Sequence, residues 1–439
     1  MDDERTSAQY LAAGSYVDLI LAAVIMQICF IITAIWVGTT GNEFLISNPE
    51  DIRYALKIQL GLGWMMCIIC GLGFSILPLI YDVKVFDKSL MRSYVGMNML
   101  GQLSIMLGIM IGDEDIFYSM ATIGITLLAT SLFILGSPAL KIFKSRSVDS
   151  QRLGPFSYAI GMILPILGLI TLVSWVARDN EFSIYLSEAV IFDLFIPLAV
   201  ISTIISHFNR RLNWQLIDSD NLGKVFATLL ILMLVSIISV PLYENGDISK
   251  RVSASLAMFP YLFIFIALNP KKIIDQIVDR QPHSKMILAS LFWLPVIGIS
   301  AYLEKMDLVV TTNGMMSFYR WILIFGFAMQ ALWGFVNYLH DDHKRLSLHR
   351  RKTTWLIFMS LNIGSIITTY SMMNSWYTGE TIIEYPRIGI GVYALSYVLI
   401  LVHWIKEVIF SLDDWHKSPM FYDQYLKHPE QGPGFTIDD

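Results

Sequence analysis

The chain has 439 residues, 55% of them apolar and only 15% charged, with a formal net charge of −5. A soluble chain usually carries about a quarter charged residues, so the composition excludes an ordinary soluble protein, and the acidic balance excludes a basic surface for nucleic acid. An outer-membrane barrel is excluded as well, because Leu19–Val37 and Val225–Val240 show no alternation of apolar and polar residues. What remains is an all-α polytopic membrane protein, with the lipid bilayer as its first partner.

Taken in chain order, the start Met1-Asp2-Asp3-Glu4-Arg5 is acidic where a signal peptide carries basic residues. The first apolar run is long enough to span, so it reads as a retained signal-anchor helix. Twelve spans are predicted, at 14–38, 55–81, 93–112, 116–138, 156–177, 184–207, 225–243, 253–269, 286–303, 314–340, 353–373 and 387–411. Of the 31 Lys and Arg residues, 22 fall in the even loops and the termini, six in the odd loops and three inside spans. The positive-inside rule then puts both termini in the cytoplasm of a multi-pass plasma-membrane protein. A transmembrane domain over 1–411 is followed by a tail over 412–439, where Pro419, Pro429 and Pro433 leave no core to build. That tail is expected to lie as a strap on the cytoplasmic face or to meet a partner subunit.

Several constellations look like chemistry and read better as structure. Cys67-Ile-Ile-Cys70 has redox or metal-clip spacing, and Met65, Met66, Met97 and Met99 are soft donors that suit Cu(I). No basic neighbour lowers a thiol pKa there, so helix packing is the reading. His340-Asp-Asp-His343, followed by His349, could take a divalent metal, but a charge run opening a loop explains it as well. His283 and His403 stand alone, as structural histidines do. The chain has no phosphate-binding loop, dinucleotide fingerprint, nucleophile elbow or HExxH motif.

An internal repeat is more informative. At a constant offset of 263, the second span meets the tenth: Lys57 with Arg320, Gly63 with Gly326, Trp64 with Phe327, Met66 with Met329 and Gly71 with Gly334. The next spans share an Asn-to-Gly step, Asn98…Gly101 against Asn362…Gly364. An eight-span offset fits three four-helix units in which spans 2, 6 and 10 are equivalent, and it does not fit two halves of six.

On these residues the chain resembles subunit I of the haem-copper oxidase superfamily, including its nitric-oxide-reductase-like twelve-helix relatives. The segment from Gln59 to Pro78 is similar to the family's second helix, and so is the basic, Ser-containing turn up to Arg92. Span 10 is similar to the tenth helix. The resemblance covers spans 2–4 and 10–12, about two fifths of the chain. It implies the family's arrangement of three four-helix units with both termini inside.

The departure from the family matters most. Its helices 2, 6, 7 and 10 carry histidines that ligate two haems and a copper, because imidazole offers those metals a neutral nitrogen. Here no histidine precedes His207, and 225–243 contains none. Lys57 and Arg320 stand at the ligand positions of spans 2 and 10. The resemblance without its ligands implies no haem or copper cofactor and no enzyme. It implies a degenerate, non-catalytic subunit or scaffold of a larger, respiratory-type membrane complex, bound to other membrane subunits. Two alternatives stay open: a transporter or proton pathway using intramembrane charges, and an oxidoreductase with atypical haem or copper ligands.

Ionisable residues inside spans are costly and are functional candidates by default. Asp18, Lys57, Glu188, Asp193, Arg320 and the pair Lys406-Glu407 qualify. Lys57, Arg320, Glu188 and Asp193 are expected to form a paired cluster in the vacated haem pocket, since buried charge must be compensated. Separate snorkelling to the headgroups, or pairing unrelated to such a cluster, is the competing reading.

Overall fold

The computed structural model describes the chain apart from residues 1, 41–42, 72–87, 145–149, 179, 207, 209–215, 241–246, 278–281, 310–315, 345–351, 379–383 and 407–439. In the helical stretches 2–18, 137–144, 150–162 and 338–344, and at 20, 88, 206, 219, 276–277, 282 and 384, it describes the backbone alone. Among the described residues every regular element is a helix, and eleven are long and apolar enough to cross a membrane. The chain is a polytopic helical membrane protein. Span 5, the twelfth expected from the sequence, is the helix Ser150–Val176, of which Ile163–Val176 is the apolar part with described side chains. The tail over 412–439 lies outside the described residues.

The spans, numbered as in the sequence, begin with span 1 in the helix Asp2–Thr39. Spans 2, 3 and 4 are Pro49–Gly71, Lys88–Ile111 and Glu114–Lys144. Span 6 is Glu181–Ile205, and spans 7 and 8 are Ser219–Ile238 and Asp247–Ala267. Span 9, His283–Lys305, contains a turn at 291–292. Spans 10, 11 and 12 are Phe318–Asn337, Lys352–Thr378 and Glu384–Trp404.

Two spans begin earlier than the apolar runs suggest. Span 2 opens on Pro49, whose missing N–H costs nothing at a helix start, with Glu50 and Asp51 complementing the first-turn dipole. Span 6 opens behind Asn180, whose side-chain oxygen accepts from the Phe182 N–H at 3.0 Å. Both starts are polar, so an apolar window passes over them.

Spans 2, 6 and 10 share a local structure. Each is 94% buried over its apolar window, against 22–61% for the others that qualify. The more exposed spans present large apolar side chains such as Ile123, Phe133, Ile231 and Leu356. In water such faces would form sticky patches, and in lipid they are at home. Each of the three buried spans also changes from α- to π-helix: at Gln59–Met65, Ala189–Phe195 and Ile322–Met329. Just ahead of each change stands a charge, namely Lys57, Glu188 and Arg320, spaced by 131 and 132 residues. A π-segment is rare and marks functional or strained places. Nothing in the hydrophobic pattern announces one.

By its internal contacts the chain divides into two compact units, Met1–Ile191 with Trp404–Asp439 and Phe192–His403. The border falls inside span 6. The four-span period is therefore carried by local structure, whereas compactness divides the chain in two. Within the first unit, a Cβ on Gly63 would stand 2.5 Å from Gln102 on span 3, and one on Gly71 would stand 3.1 Å from Leu19 on span 1. Within the second, a Cβ on Gly326 would stand 2.5 Å from Ser365 on span 11, and one on Gly334 would stand 2.5 Å from Ile287 on span 9. Gln102 and Ser365 are themselves 263 residues apart. The glycines repeated in sequence thus make repeated close approaches to the preceding and following spans.

Candidate functional site

In the first unit the charge of span 2 meets the charge of span 6. Lys57 Nζ donates to Glu188 Oε1 at 2.6 Å, with the two side chains 15% and 9% exposed. One turn earlier the Tyr54 hydroxyl donates to Ser187 Oγ at 2.8 Å. Two contacts on successive turns fix the register of span 2 on span 6. Beside them lies a polar and aromatic layer. The Tyr118 hydroxyl donates to Asp51 Oδ2 at 2.6 Å, and the Arg178 guanidinium lies 4.2 Å over the Tyr118 ring. Trp175, stacked on Tyr54 at 6.3 Å, donates from Nε1 to Thr122 Oγ1 at 2.8 Å. A cation over an aromatic face gains from the ring quadrupole, so Arg178 joins this layer by stacking.

In the second unit Arg320 grips Asp193 with two donors, Nε to Oδ1 at 3.2 Å and Nη2 to Oδ2 at 2.7 Å. The Tyr319 hydroxyl also donates to Asp193 Oδ2, at 3.1 Å, and the Phe192 ring centroid lies 5.8 Å from the guanidinium carbon. The planar fork of Arg matches a carboxylate in a way a lysine cannot. Glu304, at the end of span 9, accepts through Oε1 from the backbone N–H groups of Phe318 (2.5 Å) and Tyr319 (3.3 Å). It thereby caps donors that the first turn of span 10 leaves open. Glu304 is absent from the sequence-derived candidates because the apolar window of span 9 ends at 303. The signal was there: span 10 opens without an acidic or amide cap of its own, and the nearest preceding acids that could serve are Glu304 and Asp307.

The four charges expected to cluster are thus seen as two pairs, Lys57 with Glu188 in one unit and Arg320 with Asp193 in the other. Asp18 belongs to the first helix, and its side chain lies outside the described residues. Lys406 is exposed, and Glu407 lies outside the described residues, as does His349. His340 and His343 are helical, and only their backbone is described. His283 and His403 are buried, the latter edge-on to Trp333 at 4.9 Å. All three cysteines are free thiols in buried positions, and Cys67 Sγ lies 3.7 Å from the Tyr94 hydroxyl.

A haem or copper does not fit the residues present. An ammonium and a guanidinium have donors and no lone pair, and Lys57 and Arg320 are each held in a short pair with an acid. The face of Gly63 that follows Lys57 is covered by the Gln102 side chain. Among the described residues no three His, Cys, Asp or Glu side chains come together as a metal site.

The arrangement supplies neutralised charge inside spans and rigid joints at the entrances to π-segments. In the first unit Asn98 on span 3 donates to the Leu62 carbonyl of the π-segment at 3.1 Å. In the second, Asn362 on span 11 accepts from Trp293 Nε1 at 3.1 Å. With its amide turned to satisfy its neighbours, Gln330 donates to the Gly326 carbonyl at 3.0 Å and to Asn362 at 3.1 Å. The paired asparagines of the sequence repeat therefore stand beside the two π-segments. Comparison with known protein families and with curated proteins finds no match to this chain.

Proposed function

We propose that the chain is a non-catalytic integral-membrane subunit with a haem-copper-oxidase-like arrangement of three four-helix units, in which ion pairs have taken the place of metal ligands. The observation that carries this reading is the engagement of Lys57 and Arg320, the residues at the ligand positions, with acids of span 6 at 2.6 and 2.7 Å. Three equally spaced buried spans, each with a charge ahead of a π-segment, support the three-unit arrangement. The Lys and Arg distribution supports both termini in the cytoplasm of a plasma-membrane protein. A protein without chemistry of its own acts through contacts, so the partners are other membrane subunits of a respiratory-type complex.

The transporter or proton-pathway reading would use Glu188, Asp193 and Lys57, and their short pairing argues against it. An acid held by a cation at 2.6–2.7 Å is a joint rather than a carrier. The test is native purification in mild detergent together with liposome flux. The full chain is expected to migrate in a complex with defined stoichiometric partners and to give no substrate-dependent proton flux when reconstituted alone. A monodisperse single chain that moves protons would contradict the proposal.

A further inference from the structure

We propose that Glu304 binds a proton within the membrane-spanning part of the chain, carried on Oε2. Glu304 is the penultimate residue of span 9 and is 7% exposed. Its two oxygens differ sharply. Oε1 accepts two backbone N–H groups of span 10, while Oε2 is buried without a hydrogen-bond partner among the described residues. An ionised carboxylate spreads its charge over both oxygens, so Oε2 would hold about half a charge with no compensation. A neutral hydroxyl lacking an acceptor is a far smaller loss than a bare anionic oxygen.

The surroundings of Oε2 supply no acceptor among the described residues. Leu303, its neighbour in the chain, and Phe318, whose N–H it accepts, belong to an apolar cluster with Val309 and Met372. Among the described residues the charged groups near it are few. Arg320 follows Tyr319, whose N–H Glu304 accepts, and two of the Arg320 donors are taken by Asp193. Lys305 follows it in the chain, and Lys250 of span 8 is paired with Asp307. Loss of the proton would put a second carboxylate charge on the turn of span 10 whose Tyr319 and Arg320 side chains hold Asp193. The bound proton therefore protects the Asp193–Arg320 grip, a role that the scaffold reading does not require.

The test is carbon NMR of the full chain, labelled at the glutamate carboxyl carbon and held in lipid at neutral pH, with a Glu304→Gln variant beside it. The amide preserves an acceptor for both N–H groups and puts an NH2 where the hydroxyl stands. One carboxyl signal in the protonated position is expected in the wild-type chain, absent from Glu304→Gln, with the variant melting within a few degrees of wild type. Three results would overturn the proposal: all glutamates ionised, a protonated signal that survives Glu304→Gln, or a Glu304→Gln chain that fails to fold.

Discussion

Asp193→Ala is expected to lower the unfolding free energy by about 3–5 kcal/mol, as breaking a buried ion pair from one side does. The substitution leaves Arg320 buried at 6% exposure, without the two carboxylate oxygens that its Nε and Nη2 now meet. It also leaves the Tyr319 hydroxyl without that acceptor. Replacing both partners, Asp193→Leu with Arg320→Met, removes the charge along with its compensation, and such replacements are often neutral or stabilising. The double variant is therefore expected to be more stable than the single one, by thermal or denaturant unfolding in detergent. A loss below about 1 kcal/mol for Asp193→Ala would mean that the pair behaves as a solvated surface bridge. Glu188→Ala is expected to act in the same direction through Lys57, and more mildly, because an ammonium on a flexible stem can reach other acceptors or headgroups.

Gly124→Val gives the second large effect. Spans 3 and 4 cross with glycine on glycine: a Cβ on Gly124 would stand 2.6 Å from the Gly101 carbonyl oxygen, and one on Gly101 would stand 2.7 Å from the Gly124 carbonyl oxygen. Both obstacles are backbone, so no rotamer change relieves the clash and the helices must separate. Overpacking of this kind costs about 1–3 kcal/mol, and loss of close interhelical packing adds to it. Gly96→Ala is the internal control. Gly96 lies on span 3 with nothing within 4 Å of the place a methyl would take, and Ala is favoured over Gly in a helix interior by about 0.5–1 kcal/mol. Gly124→Val is expected to melt lower than wild type and Gly96→Ala at or above it. Equal melting of all three would show that spans 3 and 4 do not approach as described.

The membrane class was legible because the bilayer forces long apolar runs on the sequence, and the described spans lie over the predicted runs. Their polar ends were not legible from those runs. Pro49, Glu50 and Asp51 belong to span 2, yet they read as loop because they carry capping chemistry rather than hydrophobicity. The repeat of Gly63 and Gly326 was visible, and its physical content was close helix approach to Gln102 and Ser365. The individual charges Lys57, Glu188, Asp193 and Arg320 stood out because charge is rare inside spans. Their partition into one pair on each side of a border within span 6 depends on tertiary contacts between residues more than 120 apart. The π-segments were invisible, since they shift the backbone by one residue without any change of composition. Glu304 was missed for the reason that makes it interesting: an acid at the end of an apolar run looks like the first residue of a loop.

We propose that Lys57 and Arg320 stand where the resembling family holds metal ligands, which leaves the chain without haem. The most direct measurement is a visible spectrum of the purified full chain, with iron and copper quantified on the same sample. No Soret band and no stoichiometric metal are expected, both for the wild type and for variants that break either ion pair. A Soret band accompanied by one or more irons per chain would contradict the account.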